Sequence, residues 1–509
     1  MSHLTVGQYA ILVFGAMSVY ASFRCIYFTY FHPASKFPGP RIAAISNVWY
    51  AYHWITGKYP MAIENAFKKY GDVVRIAPNE LKNIPPLSGI KSDSNLDIYG
   101  SHSKHIEKFL KADFISLGDG DQGITWEKDP IKHRHTAKKL SPAFSAKSIK
   151  AKESTIHKYV DLFVQKMKKI GQNEQGVELK IWTDWVSMDI SAELSYSREL
   201  EQVEKMSSSA FLHALWGVNF FVNVHQILKK FPLSVPLQFL FVPPSALISE
   251  LQARKLNRET LEWRIEHRGG LEHLDHVEQL LSAEAPPPTG QERKALEVVS
   301  GQLLIAGYLP VASQFLCTIM FGLQEPDIHR LLVREIRESF ARYEDITAEA
   351  LAPLKFLHGS IMETLRFTFV EGGGLPRVSP GAIVDGRYIE KGLQVQYGHF
   401  AFTRSPRYFH EPRSYRPQHW LPKDHPHWNA AFENDATSHY YPFGLGPRQC
   451  IGMELAWREM RIFVAKVLWS FDVEMVSDHK IVYERDFKMH RMWEKPEFWV
   501  RFHPVDRSD

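Results

Sequence analysis

One cysteine near the C-terminal end of the chain stands in a setting that favours metal binding. Cys450 ends a glycine-rich loop and directly precedes a predicted amphipathic helix that starts at Ile451. The first N–H groups of a helix are unpaired and carry a partial positive charge, so they favour a thiolate over a thiol. A thiolate is a soft anionic metal ligand, whereas the alternative interpretation is a buried, inert cysteine in an ordinary loop.

The residues around Cys450 favour the first interpretation. The pattern Phe-x-x-Gly-x-Arg-x-Cys-x-Gly, from Phe443 to Gly452, resembles the haem-binding loop of the cytochrome P450 family. The resemblance implies haem b as the cofactor, with Cys450 as the axial thiolate on its iron. It also implies that Phe443 shields the sulfur and that Arg448 pairs with a haem propionate. Gly446 and Gly452 would let the backbone approach the macrocycle.

Further segments match the P450 pattern. Glu363 and Arg366 fit the family's Glu-x-x-Arg, with both charges on one helix face. His419 stands where the family usually completes this structural triad with an arginine, and an imidazole can still hydrogen-bond the carboxylate. Arg377 lies in a matching segment and is expected to contact the cofactor.

The segment after Pro130 matches the family less well. Members often carry His-x-x-x-Arg there to reach a propionate, whereas His133 is followed at that spacing by Ala137. We expect His133, Arg134 or Lys138 to take over this contact.

The predicted central helix lacks the family's proton relay. Ala306 and Gly307 match the first residues of the segment that lies over the haem, which is usually followed by an acid and an alcohol. Leu309 and Pro310 take those two places here. A proline inside a helix removes the hydrogen bond to the carbonyl of Ala306 and costs about 3 kcal/mol unless a bend is needed. We therefore expect Pro310 to build in the family's bend while the proton donor is lost.

This departure leaves the reaction open. In one interpretation water or a substrate hydroxyl supplies protons, and the protein is a monooxygenase. In the other it is a non-oxygenating P450 that performs oxidative coupling, cyclisation, dehydration or rearrangement. We prefer the monooxygenase, since most of the family are monooxygenases. A non-catalytic haem-binding scaffold is a third class, and the intact Cys450 loop argues against it.

Composition excludes several other classes of protein. The 509 residues include 44% hydrophobic and 23% charged residues, which is typical of a globular protein. The net charge of +4, from 61 basic and 57 acidic residues, gives no reason to expect nucleic acid as a partner. Three cysteines, Cys25, Cys317 and Cys450, cannot build a disulfide framework or a multi-cysteine zinc site. We expect the first two to be structural.

The N-terminal segment predicts a membrane anchor. Residues 6–31 are almost wholly apolar, and about 20 such residues cross a bilayer as a helix. A cleaved secretory signal is disfavoured because the preceding residues are not basic. Basic residues at the far end place the body on the cytosolic side. We expect a single-pass protein of the endoplasmic reticulum membrane, with an anchor at 6–28, a proline-rich hinge at 33–41 and a P450 haem domain at 42–509.

The remaining pattern predicts a mainly α protein with minor β-sheets and the cytochrome P450 fold. A helix at 291–324, apolar on every side in its middle, is predicted to cross the core, and Thr289 and Glu292 have capping-box spacing. The other predicted helices lie at 148–169, 211–229, 326–343, 353–369 and 451–471, and the predicted strands at 73–76 and 388–395.

The resemblance also implies a substrate class and a redox partner. A lipophilic small molecule is predicted by pocket candidates in the loop at 93–120 and by Leu215, Trp216, Phe220, Phe221, Phe369 and Leu375. Too little chain follows Cys450 for a fused flavin domain, so NADPH-cytochrome P450 reductase is expected to deliver the electrons. It would dock near Arg448, Arg458 and Lys466. The mix of motifs looks like that of fungal enzymes that tailor secondary metabolites.

Overall fold

The computed structural model describes residues 5–85, 94–100, 107–113, 123–269, 275–281, 286–368 and 373–506. Helices dominate and short strands form small sheets, which confirms the predicted fold class. In chain order the helices are α1 (Val6–Ile26), α2 (Arg41–Ile45), α3 (Val48–Ile55), α4 (Tyr59–Tyr70), α5 (Ser94–Tyr99), α6 (Pro130–Leu140), α7 (Ala146–Ala151), α8 (Glu153–Ile170), α9 (Leu179–Tyr196), α10 (Gln202–Lys205), α11 (Ala210–Leu228), α12 (Pro244–Glu266), α13 (Gly290–Leu323), α14 (Pro326–Ser339), α15 (Ala348–Leu351), α16 (Lys355–Phe367), α17 (His399–Thr403), α18 (Met453–Ser470) and α19 (Tyr483–Asp486). The strands are β1 (Val73–Ala77), β2 (Glu80–Asn83), β3 (Leu110–Lys111), β4 (Val177–Glu178), β5 (Arg377–Val378), β6 (Ala382–Val384), β7 (Arg387–Ile389), β8 (Gln394–Tyr397), β9 (Phe471–Met475), β10 (Lys488–Met489), β11 (Trp493–Glu494) and β12 (Trp499–Pro504).

The strands pair in small sheets around the helices. The largest sheet of the described residues has the order β1-β2-β8-β5-β3, with β2 and β8 parallel and its other pairs antiparallel. Smaller sheets have the orders β4-β12-β9, β10-β11 and β6-β7. Asp385 and Gly386 form the β6-β7 turn with φ values of +48° and +72°, a geometry that favours a two-residue hairpin. The single strand predicted at 388–395 is wrong, because the turn around Gly392, at φ +89°, separates β7 from β8.

The long helix α13 crosses the core and is buried along most of its length. Helix α9 packs so closely against it that side-chain hydroxyls reach its backbone. Ser187 Oγ donates to the carbonyl of Tyr308 at 2.7 Å, and Ser191 Oγ to that of Leu304 at 2.8 Å. A Cβ at Gly307 would come within 2.6 Å of Ser191 Oγ, so a glycine permits this approach.

The helix α13 continues through Pro310 without interruption over 34 residues. Burial against its neighbours offsets the cost of about 3 kcal/mol for a proline inside a helix. The predicted capping box at its start is wrong, because the Thr289 side chain makes no cap bond. Gly290, the first helical residue, has a φ of +56°, so the regular helix start that a capping box needs is absent. The helix predicted at 148–169 is divided at Lys152 into α7 and α8.

The apolar N-terminal helix stands apart from the core. Residues Val6–Phe31 are long and apolar enough to cross a membrane, with a mean hydropathy of 1.6, and the helix they form is unburied. The other helix with this property, α13, is mostly buried in the protein. The proline-rich segment follows the N-terminal helix and contacts β1. The backbone N–H of Arg75 donates to the carbonyl of Pro38 at 2.8 Å. A Cβ at Gly39 would lie 2.2 Å from the Arg75 carbonyl, so a glycine is needed there. The proline-rich segment is therefore held against β1.

Glu459 on α18 predicts a pH dependence of stability. It is 3% exposed, and burial raises the pKa of its carboxyl from 4.5 to about 8. The free energy of unfolding of the wild type should therefore fall as the pH rises from 4.5 to about 8. In this range the carboxyl of Glu459 ionises in the unfolded chain but stays protonated in the folded protein. We expect Glu459→Gln to raise stability by on the order of 2–4 kcal/mol at pH 8 and much less at pH 5. Unfolding of both proteins across this pH range measures the difference, and a pH-independent difference contradicts the assignment.

Candidate active site

The loop that ends at Cys450 is closed by backbone hydrogen bonds. The Cys450 N–H donates to the carbonyl of Phe443 at 2.8 Å, and the Gln449 N–H to that of Gly446 at 3.1 Å. Gly444 and Gly446 have φ values of +75° and +65°, which side-chain-bearing residues rarely adopt. These glycines let the loop turn back and present Cys450 ahead of α18.

The position of Cys450 differs from the sequence prediction. Helix α18 begins at Met453 with Gly452 as its N-cap residue, so Cys450 lies before the helix and does not cap it. The surrounding protein raises the pKa of the Cys450 thiol, and a hydrogen bond from the Gly452 N–H opposes this only in part. Yet Cys450 is exposed. Cys450 is thus accessible although its surroundings disfavour the ionised form, and a bound metal, rather than the helix terminus, could keep the thiolate ionised.

Aromatic rings cover the other side of this loop. The rings of Phe443 and Trp457 lie 6.0 Å apart between centroids, and Trp457 is buried. A Cβ at Gly452 would meet the Phe144 ring at 3.7 Å, an ordinary contact distance. Phe443, Trp457 and Phe144 thus lie beside this loop, whereas Gln449 and Cys450 at its end are exposed.

Arg448 joins the loop to the chain before α6. Its guanidinium forms an ion pair with the carboxylate of Glu107, and both side chains are less than a tenth exposed. A second contact to this carboxylate, from Nη2, measures 3.3 Å, and Nη1 donates to the carbonyl of Glu127 at 2.6 Å. Arg448, predicted to hold a propionate, thus also has a carboxylate partner within the protein.

Several cations surround His133 beside this pair. Burial, together with the positive charges of Arg448, Lys111 and Arg377, lowers the pKa of the His133 imidazole to about 3. His133 and Arg377 are themselves buried. The imidazole is therefore neutral at neutral pH, in a positively charged environment that suits carboxylate groups.

The structure separates the three candidates on α6. His133 points into the protein, whereas Arg134 and Lys138 are exposed. His133 is thus the α6 candidate that the structure brings to Arg448 and Arg377.

Helix α13 has an exposed site in the middle of its buried length. Ala306 is exposed and Leu309 and Pro310 are half-buried, although residues on either side of this segment belong to the core. Tyr308 is buried and accepts a hydrogen bond of 3.3 Å from the indole of Trp216. Because Pro310 has no N–H, the helix provides no donor for the carbonyl of Ala306. The carbonyl of Ala306 therefore lacks its usual helical donor, and the half-buried apolar side chain of Leu309 lies in the same stretch of helix.

Glu363 and Arg366 form the buried pair that the sequence predicts. Both side chains are 0% exposed, and Arg366 reaches the carboxylate with two bonds of 2.7 and 2.8 Å. The Arg416 backbone N–H and the Trp420 indole add bonds of 2.9 Å each. Burial alone would raise the pKa of the Glu363 carboxyl, but Arg366, His419 and these hydrogen bonds together hold it below its ordinary value.

His419 lies at this pair but contacts it only loosely. Its Nε2 is 3.7 Å from Glu363 Oε1, beyond hydrogen-bond distance. Its Nδ1 instead donates to the carboxylate of Asp435. The structure thus places His419 beside the other two triad residues and adds an acid as its partner.

The basic residues predicted for redox docking are mostly unavailable. Arg448 and Lys466 are buried in ion pairs with Glu107 and Asp161, so the prediction is wrong for these two. Arg458 is 20% exposed in its side chain and pairs with acidic neighbours. An isolated basic residue in a sequence gives no sign that its partner lies hundreds of residues away.

Sequence reasoning also missed Glu107, Lys111 and Asp435. Their contacts to Arg448, His133 and His419 arise from tertiary packing, and they match no motif. The departure at His419 was the one available signal, since a histidine that replaces an arginine needs a different set of partners.

Comparison with known proteins agrees with this arrangement. The cytochrome P450 family model matches residues 38–498. The cytochrome P450 monooxygenase TwmD of Talaromyces wortmannii is 44% identical over 98% of this chain and 97% of its own length. The cytochrome P450 monooxygenase poxC of Penicillium oxalicum is 35% identical over 98% of this chain and 95% of its own. BOA3 of Botryotinia fuckeliana, also a cytochrome P450 monooxygenase, is 33% identical over 95% of this chain and 94% of its own.

These matches span nearly the whole chain, and they include the Cys450 loop, the buried Glu363–Arg366 pair and the central helix. The family and the enzyme class predicted from the sequence are therefore confirmed: this chain belongs to the cytochrome P450 family and is a P450 oxidoreductase.

Proposed function

We propose that this chain is a membrane-anchored haem-thiolate monooxygenase that oxidises a lipophilic small molecule in fungal secondary metabolism. One observation carries the proposal: Cys450 is exposed at the end of a loop that Gly444 and Gly446 fold back, although its surroundings raise the pKa of its thiol. The three monooxygenases named above are fungal proteins.

The residues present fit a haem on two counts. Cys450 offers a thiolate, the soft ligand that iron takes in this family. Positive charge from Arg377, Arg448 and Lys111 collects around neutral His133, and the two carboxylates of a haem b would balance it. We assign Cys450 as the iron ligand and Arg377, Arg448 and His133 as propionate contacts.

Each of these residues has a role that its surroundings support. When bound, a haem with an axial thiolate supplies the activation of dioxygen, since the thiolate donates electron density that favours O–O cleavage. Phe443 and Trp457 pack beside the loop that carries the sulfur. Gly446 and Gly452 carry no side chain that would block a flat macrocycle, and the exposed Ala306 offers little bulk on the opposite side.

Proton supply falls to water in this proposal. Leu309 cannot carry a proton, and the buried Tyr308 hydroxyl accepts from Trp216 and donates towards the carboxylate of Asp184. The carbonyl of Ala306, which Pro310 leaves without a helical donor, can hold a water molecule or a substrate hydroxyl. Gly307 serves helix packing and keeps this stretch of backbone in place.

The substrate is assigned as lipophilic because the large ring of Trp216 on α11 is partly exposed beside α13. Trp216 is 37% exposed and contacts Tyr308 across these two helices. Phe220 and Leu375 are partly buried candidates. The predicted lining residue Phe369 and half of the loop at 93–120 lie outside the described residues.

The division into an anchor at 6–28, a proline-rich segment at 33–41 and a haem domain at 42–509 is part of the proposal. The unburied apolar helix supports insertion in the endoplasmic reticulum membrane. Leu233 and Leu240, 96% and 65% exposed, add apolar surface that a bilayer would cover.

The catalytic domain is placed in the cytosol, where NADPH-cytochrome P450 reductase supplies electrons. The face of α6 opposite His133 offers a docking surface, since it exposes the cations Lys132, Arg134, Lys138 and Lys139. Such a surface would attract an acidic partner and speed its association.

Replacement of Cys450 tests the ligand assignment. We expect Cys450→Ala to abolish the red-shifted Soret band of the reduced carbon monoxide complex, because that band requires a thiolate on the iron. Cys317→Ala is the matched control, since Cys317 is fully buried in α13 and should leave the band intact. A band that persists in Cys450→Ala contradicts the assignment.

Replacement of Arg377 tests the propionate site. We expect Arg377→Met to release haem to an acceptor protein about tenfold faster or more, because one charge-assisted hydrogen bond is lost. Arg387→Met, at an exposed arginine on β7, should release haem at the wild-type rate. Equal rates of haem release from the two variants would contradict the assignment of Arg377 as a propionate contact.

Isotope incorporation tests the reaction class. With the reductase, NADPH and the metabolite that accumulates when the gene is deleted, we expect one atom of ¹⁸O₂ in the product. Product that forms without oxygen and NADPH, or that carries no label, would instead indicate the coupling, cyclising or dehydrating chemistry that the Leu309-Pro310 pair first left open.

A further inference from the structure

His419 makes no hydrogen bond to Glu363, although it stands where the family's arginine would complete the triad. All four donors that bond the Glu363 carboxylate come from Arg366, Arg416 and Trp420. At 3.7 Å, His419 acts on Glu363 only through its charge. Glu363 therefore does not fix the orientation of the imidazole.

Asp435 is the residue that fixes it. Its Oδ2 accepts from His419 Nδ1, and its Oδ1 accepts from the backbone N–H of His410 at 2.6 Å. The side chain of Asp435 is 4% exposed and that of His419 is 0% exposed. A carboxylate in such a position is costly unless a cation pairs with it.

Asp435 brings a second buried acid to the cluster of Glu363, Arg366 and His419. The imidazole of His419 lies between the two acids, hydrogen-bonded to Asp435 and 3.7 Å from Glu363. The rings of Phe409 and Phe432 pack on the imidazole at 5.7 and 4.7 Å, so apolar groups surround it. Loss of either His419 or Asp435 alone would leave the other without its buried hydrogen-bond partner.

Asp435 also stands at the start of the segment that leads to the Cys450 loop. The next residue, Ala436, donates its N–H to the carbonyl of Tyr408 at 2.8 Å. Five residues after Asp435, the buried Tyr440 packs against Trp420 at 5.6 Å, and Trp420 bonds Glu363. The contacts of Asp435, Ala436 and Tyr440 thus hold the short segment that leads to the Cys450 loop.

We propose that Asp435 is the fourth member of the buried Glu363–Arg366–His419 network, and that by holding His419 it positions the segment that presents Cys450 to the haem. Asp435 is a positioning residue that acts through His419. The inference rests on the proposed haem-thiolate function only for its effect on the cofactor. Its effect on the unfolding of the protein is independent of that function.

A double-mutant cycle in the full-length holoprotein tests the coupling. We expect Asp435→Asn and His419→Gln each to speed haem release about tenfold and to lower the unfolding temperature, because each disrupts the buried hydrogen bond and leaves its partner unsatisfied. The double variant should release haem no more than about threefold faster than either single variant, since it removes both partners of this bond. His419→Arg should stay within about threefold of wild type, because a permanent cation can still pair with Asp435.

Glu433→Gln is the matched control, since Glu433 is an exposed acid two residues before Asp435 that pairs with Lys423. It should behave as wild type. Independent, multiplicative effects of the two single variants would overturn the proposal, as would an Asp435→Asn protein that matches Glu433→Gln. If Asp435→Asn does not fold, a soluble double variant supports the coupling and an equally insoluble one contradicts it.

The two proposals can fail separately. If wild type shows no thiolate band, the haem-thiolate function fails, and the unfolding temperatures still decide whether Asp435 and His419 are coupled. If wild type shows the band but the cycle shows no coupling, the role of Asp435 fails alone.

Discussion

The buried ion pair of Glu363 and Arg366 is the interaction on which the cofactor side of the protein depends. Loss of one partner of such a pair costs about 3–5 kcal/mol, because a charge is left unpaired inside the protein. Beyond Glu363, the guanidinium bonds the carbonyls of Thr403, Pro412 and Ser414. These carbonyls lie in a stretch with little regular secondary structure, so buried ionic contacts rather than a helix or sheet hold the chain that leads to Cys450.

The central helix α13 departs from the family pattern at Leu309 and Pro310, and this departure has a limited structural effect. Ser187 and Ser191 of α9 bond its backbone, and this packing keeps α13 continuous through Pro310. What the proline changes is chemical: one carbonyl loses its donor and an alcohol is absent. The change at Pro310 therefore concerns the expected proton supply, whereas His419 and Ala137 are the departures from the family pattern on the side of the proposed cofactor site.

The motifs allowed the family, the fold class and the location of the Glu363–Arg366 pair to be predicted, since each depends on spacing along one helix or loop. The helix at 291–324 was predicted to within one residue at each end. The prediction that Cys450 lies at the helix N-terminus is wrong, because Ile451 and Gly452 form a turn and α18 begins only at Met453. The partners of Arg448 and His419 could not be predicted, because Glu107 and Asp435 reach them only through tertiary packing.

The central claim is that Cys450 provides the axial ligand of a haem iron, and X-ray absorption at the iron edge of the purified resting protein tests it most directly. The account predicts one sulfur neighbour in the first coordination shell, together with the nitrogen atoms of the macrocycle. A first shell that contains only nitrogen and oxygen neighbours would contradict it.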